Sequence, residues 1–395
     1  MIVEIKGKDA KLALILMTLV GVCILIFPPF VASVYVPGFI RIPLLFFILI
    51  CLLILSIPKK IFLNRYLYVL LFFVFLEVYW ALNGNILAGD PVYFLCFCVL
   101  ATTLLVSFRK IAGFKDYLNC FFLILVILSS LQSFFAFLTY NFNLVSYSFV
   151  PIGEKAYYSN YFNPLFGYLS VRAMEFGKIG RSCAYFFEPS YLGWFLTANF
   201  FLINRYYKGN KIGVLKSIIF LGALATCSTA VYLVFSIIFI LKVYYWLFSW
   251  IKIKGKLANI FLLIGIFSLV TIMFTIPKEQ LFAALGTSSA DDRDERIGTS
   301  LLILANTGPI DLLFGKSPGY IEKNSVKGES NQIIKMVVEN GIIATIIVLF
   351  FIGYCTYKNK FFMITTFLFL NSVVILFTPI FLINLIICKI NEENK

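Results

Sequence analysis

Apolar runs of about 17 or more residues, nearly free of charge, recur along this chain, and each is long enough as a helix to cross a hydrocarbon layer about 30 Å thick. "LALILMTLVGVCILIF" near the N-terminus, "YLYVLLFFVFLEVYWAL" from Tyr66 and an almost unbroken stretch from 214 to 250 are three of them. Without water at hand, backbone N–H and C=O groups must pair within the segment. The runs therefore predict helices, and the chain predicts an all-α, polytopic membrane protein forming a single transmembrane domain. Composition agrees, with 61% of residues hydrophobic, 18% aromatic and only 13% charged, far from a soluble domain. The first run is read as a retained span, because "PPF" follows it without a small-residue cleavage pattern.

Basic groups between the runs set the orientation. Lys6, Lys8 and Lys11 precede the first span (about 12–34), "PKKIFLNR" follows the second (about 40–57) and "RKIAGFK" follows the fourth (about 91–108). The positive-inside rule makes these cytoplasmic, and the N-terminus with them. "NGNILAGD", after the third span (about 66–82), has no Lys or Arg and belongs outside. The alternation continues with "RYYKGNK" after a span at about 189–204, "KIKGK" after about 230–250 and "YKNK" before the last apolar stretch.

Residues 214–250 need a parity argument, since both flanks are basic and a single helix of that length would run about 55 Å. Two short spans with a tight outer turn at "TCSTA", Thr226–Ala230, resolve both problems. Small hydroxyl residues there can satisfy the turn's backbone groups. Residues 361–388 are either one span or two short passes separated at Pro379. The total is about eleven or twelve helices, with two long outer loops at 140–187 and 277–332.

The net charge of +14 does not point to nucleic acid, because the basic residues are scattered in small groups between spans. Eight of the nine cysteines fall in or at the edges of apolar runs, which implies no disulfide framework. The absence of histidine excludes imidazole acid–base chemistry and imidazole-bound zinc. Neither a phosphate-binding glycine loop, a nucleophile elbow nor a metal-ligand spacing is present. The charges that carry information lie in the two long loops.

In "GRSCAYFFEPSYLGWFL", residues 180–196, Pro189 fits the first position of a helix, where its missing N–H costs nothing. Glu188 then stands at the N-cap. Two readings stay open: a cap favoured by free amides and the helix dipole, or a carboxylate facing an outer cavity together with Arg181.

The stretch Arg181 to Gly193, with Glu-Pro-Ser ahead of a helix, resembles the region before a middle span in Wzy-type polysaccharide polymerases and the related O-antigen ligases. "RDERIG" is similar to that family's entry into its large outer loop, and "LLFGKSPGY" to its glycine turn. "ESNQIIKMVVENGIIATII" is similar to its exit into a late span, and "ATCSTAVYLVF" to a Ser-centred turn between paired helices. The matches occur in order over roughly residues 180–350.

The resemblance implies a membrane glycosyltransferase, GT-C-like in architecture, in the bacterial inner membrane. It would transfer a growing glycan from polyprenyl diphosphate to a hydroxyl of the next lipid-linked repeat unit at the outer face. The implied partners are polyprenyl-diphosphate-linked oligosaccharides and membrane lipid, with a flippase and a chain-length regulator beside it. No cofactor and no metal is expected. Arg181, Arg293 and Arg296, together with Arg172, are the diphosphate candidates, since guanidinium keeps its charge and offers forked donors. Lys316 is a further phosphate candidate. Glu188 and Glu329 are candidates for the acceptor's base. Ser330 and Asn331 occupy the place where ligases carry His-Asn, which favours the polymerase over the ligase. Local ion pairing within "DDRDERIG" is a competing account of Arg293 and Arg296, and a lipid-linked-oligosaccharide transporter is a third functional class.

Overall fold

The structure is a computed structural model that describes residues 8–26, 113–150, 160–174, 177–250, 298–324, 331–370 and 378–390, with shorter pieces between 30 and 82. Most of the described chain is helical. In order come α1 (Lys8–Ile26), α2 (Phe114–Asn141), strands β1 (Ser148–Phe149), β2 (Asn160–Asn163), β3 (Gly167–Met174) and β4 (Gly177–Ala184), then α3 (Pro189–Tyr206), α4 (Ile212–Leu224) and α5 (Thr229–Trp250). The last third holds α6 (Pro309–Phe314), α7 (Tyr320–Asn324), α8 (Gln332–Thr356), α9 (Lys360–Leu370) and α10 (Pro379–Ile390). Of these, α2 and α8 are long and apolar enough to cross a membrane. The expected spans at about 40–57, 66–82 and 91–108 fall wholly or largely outside the described residues.

The 214–250 run is broken where the parity argument requires. α4 ends at Leu224 and α5 begins at Thr229. In between, the Thr226 hydroxyl donates to the Ala223 carbonyl (2.7 Å) and accepts from the Ser228 amide (3.4 Å). The last stretch is likewise two helices, α9 and α10, with Pro379 as the first residue of the second.

The all-α expectation needs one correction. The described residues within 148–184, read from sequence as part of an outer loop, include a four-stranded antiparallel sheet in the order β1-β2-β3-β4. Its β2–β3 turn is an Asx turn: the Asn163 side chain accepts from the Leu165 amide (3.0 Å), and the Phe166 amide donates to the Asn163 carbonyl. Gly167 follows with a left-handed φ of 77°, and a Cβ there would collide with the Ala184 carbonyl, so glycine alone fits. "NPLFG" between alternating apolar residues is a hairpin signal that the charge pattern of this segment obscured.

α3 is the hub of the bundle. Every residue from Leu192 to Asn199 is buried, as are Leu202 and Ile203, so the helix is enclosed on every side. Trp194 packs on Phe381 of α10 (ring centroids 5.5 Å apart) and Phe195 on Phe122 of α2 (6.3 Å). α2 and α4 approach closely, because Gly222 lies against the Ser130 backbone and the Ser133 hydroxyl donates to the Gly222 carbonyl (2.7 Å).

α2 and α8 expose apolar and aromatic stripes, while their buried faces mix polar residues with core residues such as Phe122, Val126, Met336 and Ile352. The exposed stripe of α2 includes Ile124, Leu128 and Phe135, whereas its buried face includes Asn119, Ser129, Ser130, Ser133 and Thr139. α8 exposes Ile346, Phe350, Tyr354 and Tyr357 and buries Gln332, Glu339, Asn340, Thr345 and Thr356.

The bundle has two chemically distinct ends. At one, Arg205 donates to the Lys358 carbonyl (3.3 Å), Asn359 to the Phe201 carbonyl (3.3 Å), and the Lys389 ammonium lies over Tyr354 (3.9 Å from the ring centroid). Lys115, at the start of α2, feels the charge of Lys208. At the other end, Asn141 meets Gly180 and the Ser182 amide donates to the Ala225 carbonyl (3.2 Å). Phe30, beyond α1, bridges to Phe186 there.

Candidate functional site

The sheet end gathers β4, the start of α3 and the α4–α5 turn. β4 pairs with β3 so that Arg181 stands opposite Ser170 and Ile179 opposite Arg172, placing both arginines on one hairpin. The strand is pinned on either side of Arg181. Asn141 grips the Gly180 backbone at both its polar groups, and the Ser182 amide reaches the α4–α5 turn.

After β4 the chain reverses at Ala184, whose φ is 46°, with the Phe186 amide donating to the Cys183 carbonyl (2.8 Å). Phe186 is fully buried between Phe30 (4.5 Å) and Phe195 (5.5 Å). That aromatic stack holds the residues leading into α3. Glu188 takes the N-cap position in extended backbone and Pro189 opens the helix, as expected from sequence. Its carboxylate makes no capping hydrogen bond, however. Instead Oε2 accepts from the Ser190 hydroxyl at 3.2 Å. The capping reading of the Glu188 side chain is therefore not realised.

Arg181 and Glu188 act on a common neighbour. The Cys183 thiol is fully buried, and burial pushes it up to about 12, with the Arg181 guanidinium opposing and the Glu188 carboxylate reinforcing that rise. The Arg181 charge is also felt at the α4–α5 turn. The Cys227 thiol there is raised by burial, while a hydrogen bond with Tyr232 and the Arg181 charge pull it back. Cys227 adopts a left-handed φ of 46°. Gly193 of α3 seats the turn: a Cβ on it would come 2.5 Å from Val231 Cγ2 and 3.2 Å from Thr226 Oγ1. Cys227 and Tyr232 were not legible as site members, because only the fold brings their segment to β4; Cys183 and Ser190 stand inside the 180–196 stretch itself and were passed over.

A second constellation lies where α6 meets α8. α8 is interrupted at Gly341, whose φ is 82°. The turn after α6 fills the break: the Lys316 amide donates to the Val338 carbonyl (2.9 Å) and the Ser317 amide to the Glu339 carbonyl (3.0 Å). Glu339 is buried, 3.9 Å from Lys335 Nζ, and accepts from the Ile321 amide (3.1 Å). The signal for Glu339 was present in the sequence, as a lone carboxylate inside an apolar run. Lys316 Nζ donates to the Tyr320 hydroxyl (3.4 Å) and sits over its ring. Asn331 caps α8, accepting from the Ile333 (3.0 Å) and Ile334 (3.2 Å) amides.

The structure thus brings Arg181, Glu188 and the Arg172 backbone into one region, Lys316 to the turn after α6 and Asn331 to the N-cap of α8. Arg293, Arg296, Glu329 and Ser330 lie outside the described residues, as does the Arg172 side chain. No family model, no curated protein and no solved structure matches this chain.

Proposed function

We propose that this chain is a membrane-embedded polymerase of cell-surface polysaccharide, taking a glycan from polyprenyl diphosphate and passing it to a hydroxyl of the next lipid-linked repeat. The observation that carries the reading is that β4, pinned at Gly180 by Asn141, and the N-cap of α3 set Arg181 and Glu188 on either side of the buried Cys183, whose thiol feels both charges. A fixed cation and a carboxylate that is not engaged in capping are the two groups such a transfer needs.

Membrane residence is supported by the exposed apolar stripes of α2 and α8 and by the serine, threonine and asparagine residues among their buried contacts, since lipid favours apolar stripes outward and small or polar residues at helix contacts. The collection of Lys115, Arg205, Lys208, Lys358 and Lys389 at one end fits a cytoplasmic face, leaving the sheet end outside. The ordered motifs between 180 and 350 add the family resemblance, and with it a bacterial inner membrane.

In this reaction Glu188 accepts the proton of the acceptor hydroxyl. The hydroxyl oxygen then bonds to the anomeric carbon while the bond from that carbon to the diphosphate oxygen breaks, its electron pair leaving with the diphosphate. Arg181 stabilises the charge that accumulates there, helped by the positive end of the α3 dipole. Ser190 orients the carboxylate through its hydroxyl.

The test uses reconstituted protein and lipid-linked repeat units. Wild type should yield a ladder of lengthening glycans. Arg181→Ala and Glu188→Gln should remain in the membrane yet leave single repeats unconsumed. Full-length polymer from both variants would overturn the site. In cells lacking the protein, polymer that forms normally but never reaches its final acceptor would identify a ligase, and unmodified lipid-linked substrate building up on the cytoplasmic leaflet a transporter.

A further inference from the structure

We propose that the β2–β3 turn, Pro164–Phe166, is a membrane anchor whose leucine inserts among the lipids of the outer leaflet and fixes the height of the sheet. The inference rests on the reading that α2 spans the membrane with Asn141 at its outer end. It concerns a surface and a partner, lipid, that the transfer chemistry does not require.

The argument starts from α2. Its exposed side chains Ile124 (53%), Leu128 (54%) and Phe135 (45%) recur at spacings of four and seven and so share one face. That face is apolar throughout, and opposite it lie the buried serines. In a spanning helix such a face meets acyl chains.

The sheet runs along the last turns of this helix. Gly180 of β4 is bound at Asn141, the end of α2, by a reciprocal pair of hydrogen bonds. Lower down, the Phe166 ring packs on Phe135 with centroids 6.3 Å apart. Phe135 precedes Asn141 by six residues, so the turn lies about 9 Å back along the helix from its end. The strands agree in direction: β3 leaves the turn at Gly167 and its Val171 pairs with Gly180 at the level of Asn141.

Leu165 stands at the tip of that turn, 73% exposed, next to Phe166 and beside the lipid-facing stripe. An apolar tip about 9 Å inside the end of a spanning helix lies at the boundary between headgroups and acyl chains, where interfacial elements bury their apolar faces by roughly 5–10 Å. Phe142 and Leu144, exposed immediately after α2, extend the same apolar collar. Insertion of Leu165 would hold β4, and Arg181 with it, at the level where a lipid-borne diphosphate is presented.

The experiment is depth-resolved tryptophan quenching on the full chain in nanodiscs made with lipids brominated at defined acyl positions, the wild type supplying the baseline of its native tryptophans. Leu128→Trp reports on α2 itself and Leu165→Trp on the turn. The expected result is a loss of emission beyond the wild-type loss for both variants, with Leu165→Trp quenched most by bromines near the carbonyl end and Leu128→Trp most by deeper ones. If Leu128→Trp is quenched by the lipids but Leu165→Trp only by aqueous acrylamide, the anchor is wrong while the membrane reading stands. If Leu165→Trp is shielded from both quenchers, a second protein surface covers the turn and the proposal fails. If neither variant is quenched by brominated lipid, the spanning reading of α2 falls and the anchor with it.

Discussion

Asn141, the last residue of α2, holds both backbone polar groups of Gly180: its Oδ1 accepts from the Gly180 amide at 2.9 Å, and its Nδ2 donates to the Gly180 carbonyl at 3.2 Å. The pair ties β4 to the helix one residue before Arg181. Asn141→Ala would leave two partly buried backbone groups without this partner, at about 1–3 kcal/mol each. The expected outcome is a lower melting temperature in detergent and shorter glycans, with the protein still reaching the membrane. Thermal unfolding followed by size-exclusion chromatography, with gel analysis of the product, checks both.

Gly315 and Gly341 interlock. A Cβ on the first would collide with the Glu339 carbonyl and one on the second with the Leu313 carbonyl, and both have a left-handed φ of 82°. Either alanine variant should lose several kcal/mol, combining about 1–2 kcal/mol of backbone strain with the overpacking. Gly213→Ala and Gly353→Ala are the contrast, since nothing lies within 4 Å of either new methyl. These should be neutral or slightly stabilising, by up to about 1 kcal/mol from helix propensity. Melting temperatures of the four variants decide the point.

Gly193→Ala would press on Val231 and Thr226 and lift the α4–α5 turn from α3. The cost is expected to be about 1–3 kcal/mol. Because that turn carries Cys227, whose thiol feels the Arg181 charge, product length should fall more than protein level. Immunoblotting of membranes beside glycan gels measures the two separately.

The Cys183 thiol should be inert in the folded protein. Its folded value of about 12 lies above the model-compound value of 9.0, so the native state keeps a proton that the unfolded state releases between those limits. The contribution to stability is complete below about pH 9 and is lost as pH rises toward about 12. Cys183→Ser should flatten the decline in stability above pH 9. Peptide mapping after maleimide treatment at pH 7.5 should find Cys183 unmodified until the protein is denatured.

How far the site could be read from sequence differs residue by residue. Glu188 and Pro189 were legible as a helix start because proline's geometry is local, and the structure shows α3 opening there. The break at 225–228 was legible from length and basic flanks. The fate of the Glu188 side chain was not, since a cap and a ligand-facing carboxylate share one sequence pattern; in the structure it makes no capping bond and accepts from the Ser190 hydroxyl. Asn331 and Lys316 were singled out as polar groups in a loop, and the structure gives each a local partner in a cap or a tyrosine.

The sheet was missed for a related reason. Its strands are short, its turn depends on one asparagine and one glycine, and the charges among them read as solvated loop. Pairing between residues such as Ser148 and Phe162 is non-local and leaves little trace in composition.

From the sequence alone came the helical character, the helix starts and breaks, and the basic and polar termini of the runs, because hydrophobic length, proline and charge act within a few residues of themselves. Tertiary structure decided which polar groups meet. Arg181 and Glu188 lie on either side of a reversal at Ala184, and Cys227 comes from a turn more than thirty residues away from both. Their convergence depends on Asn141 gripping Gly180 and Gly193 admitting the α4–α5 turn, contacts whose strength comes from close approach in space and which no spacing along the chain encodes.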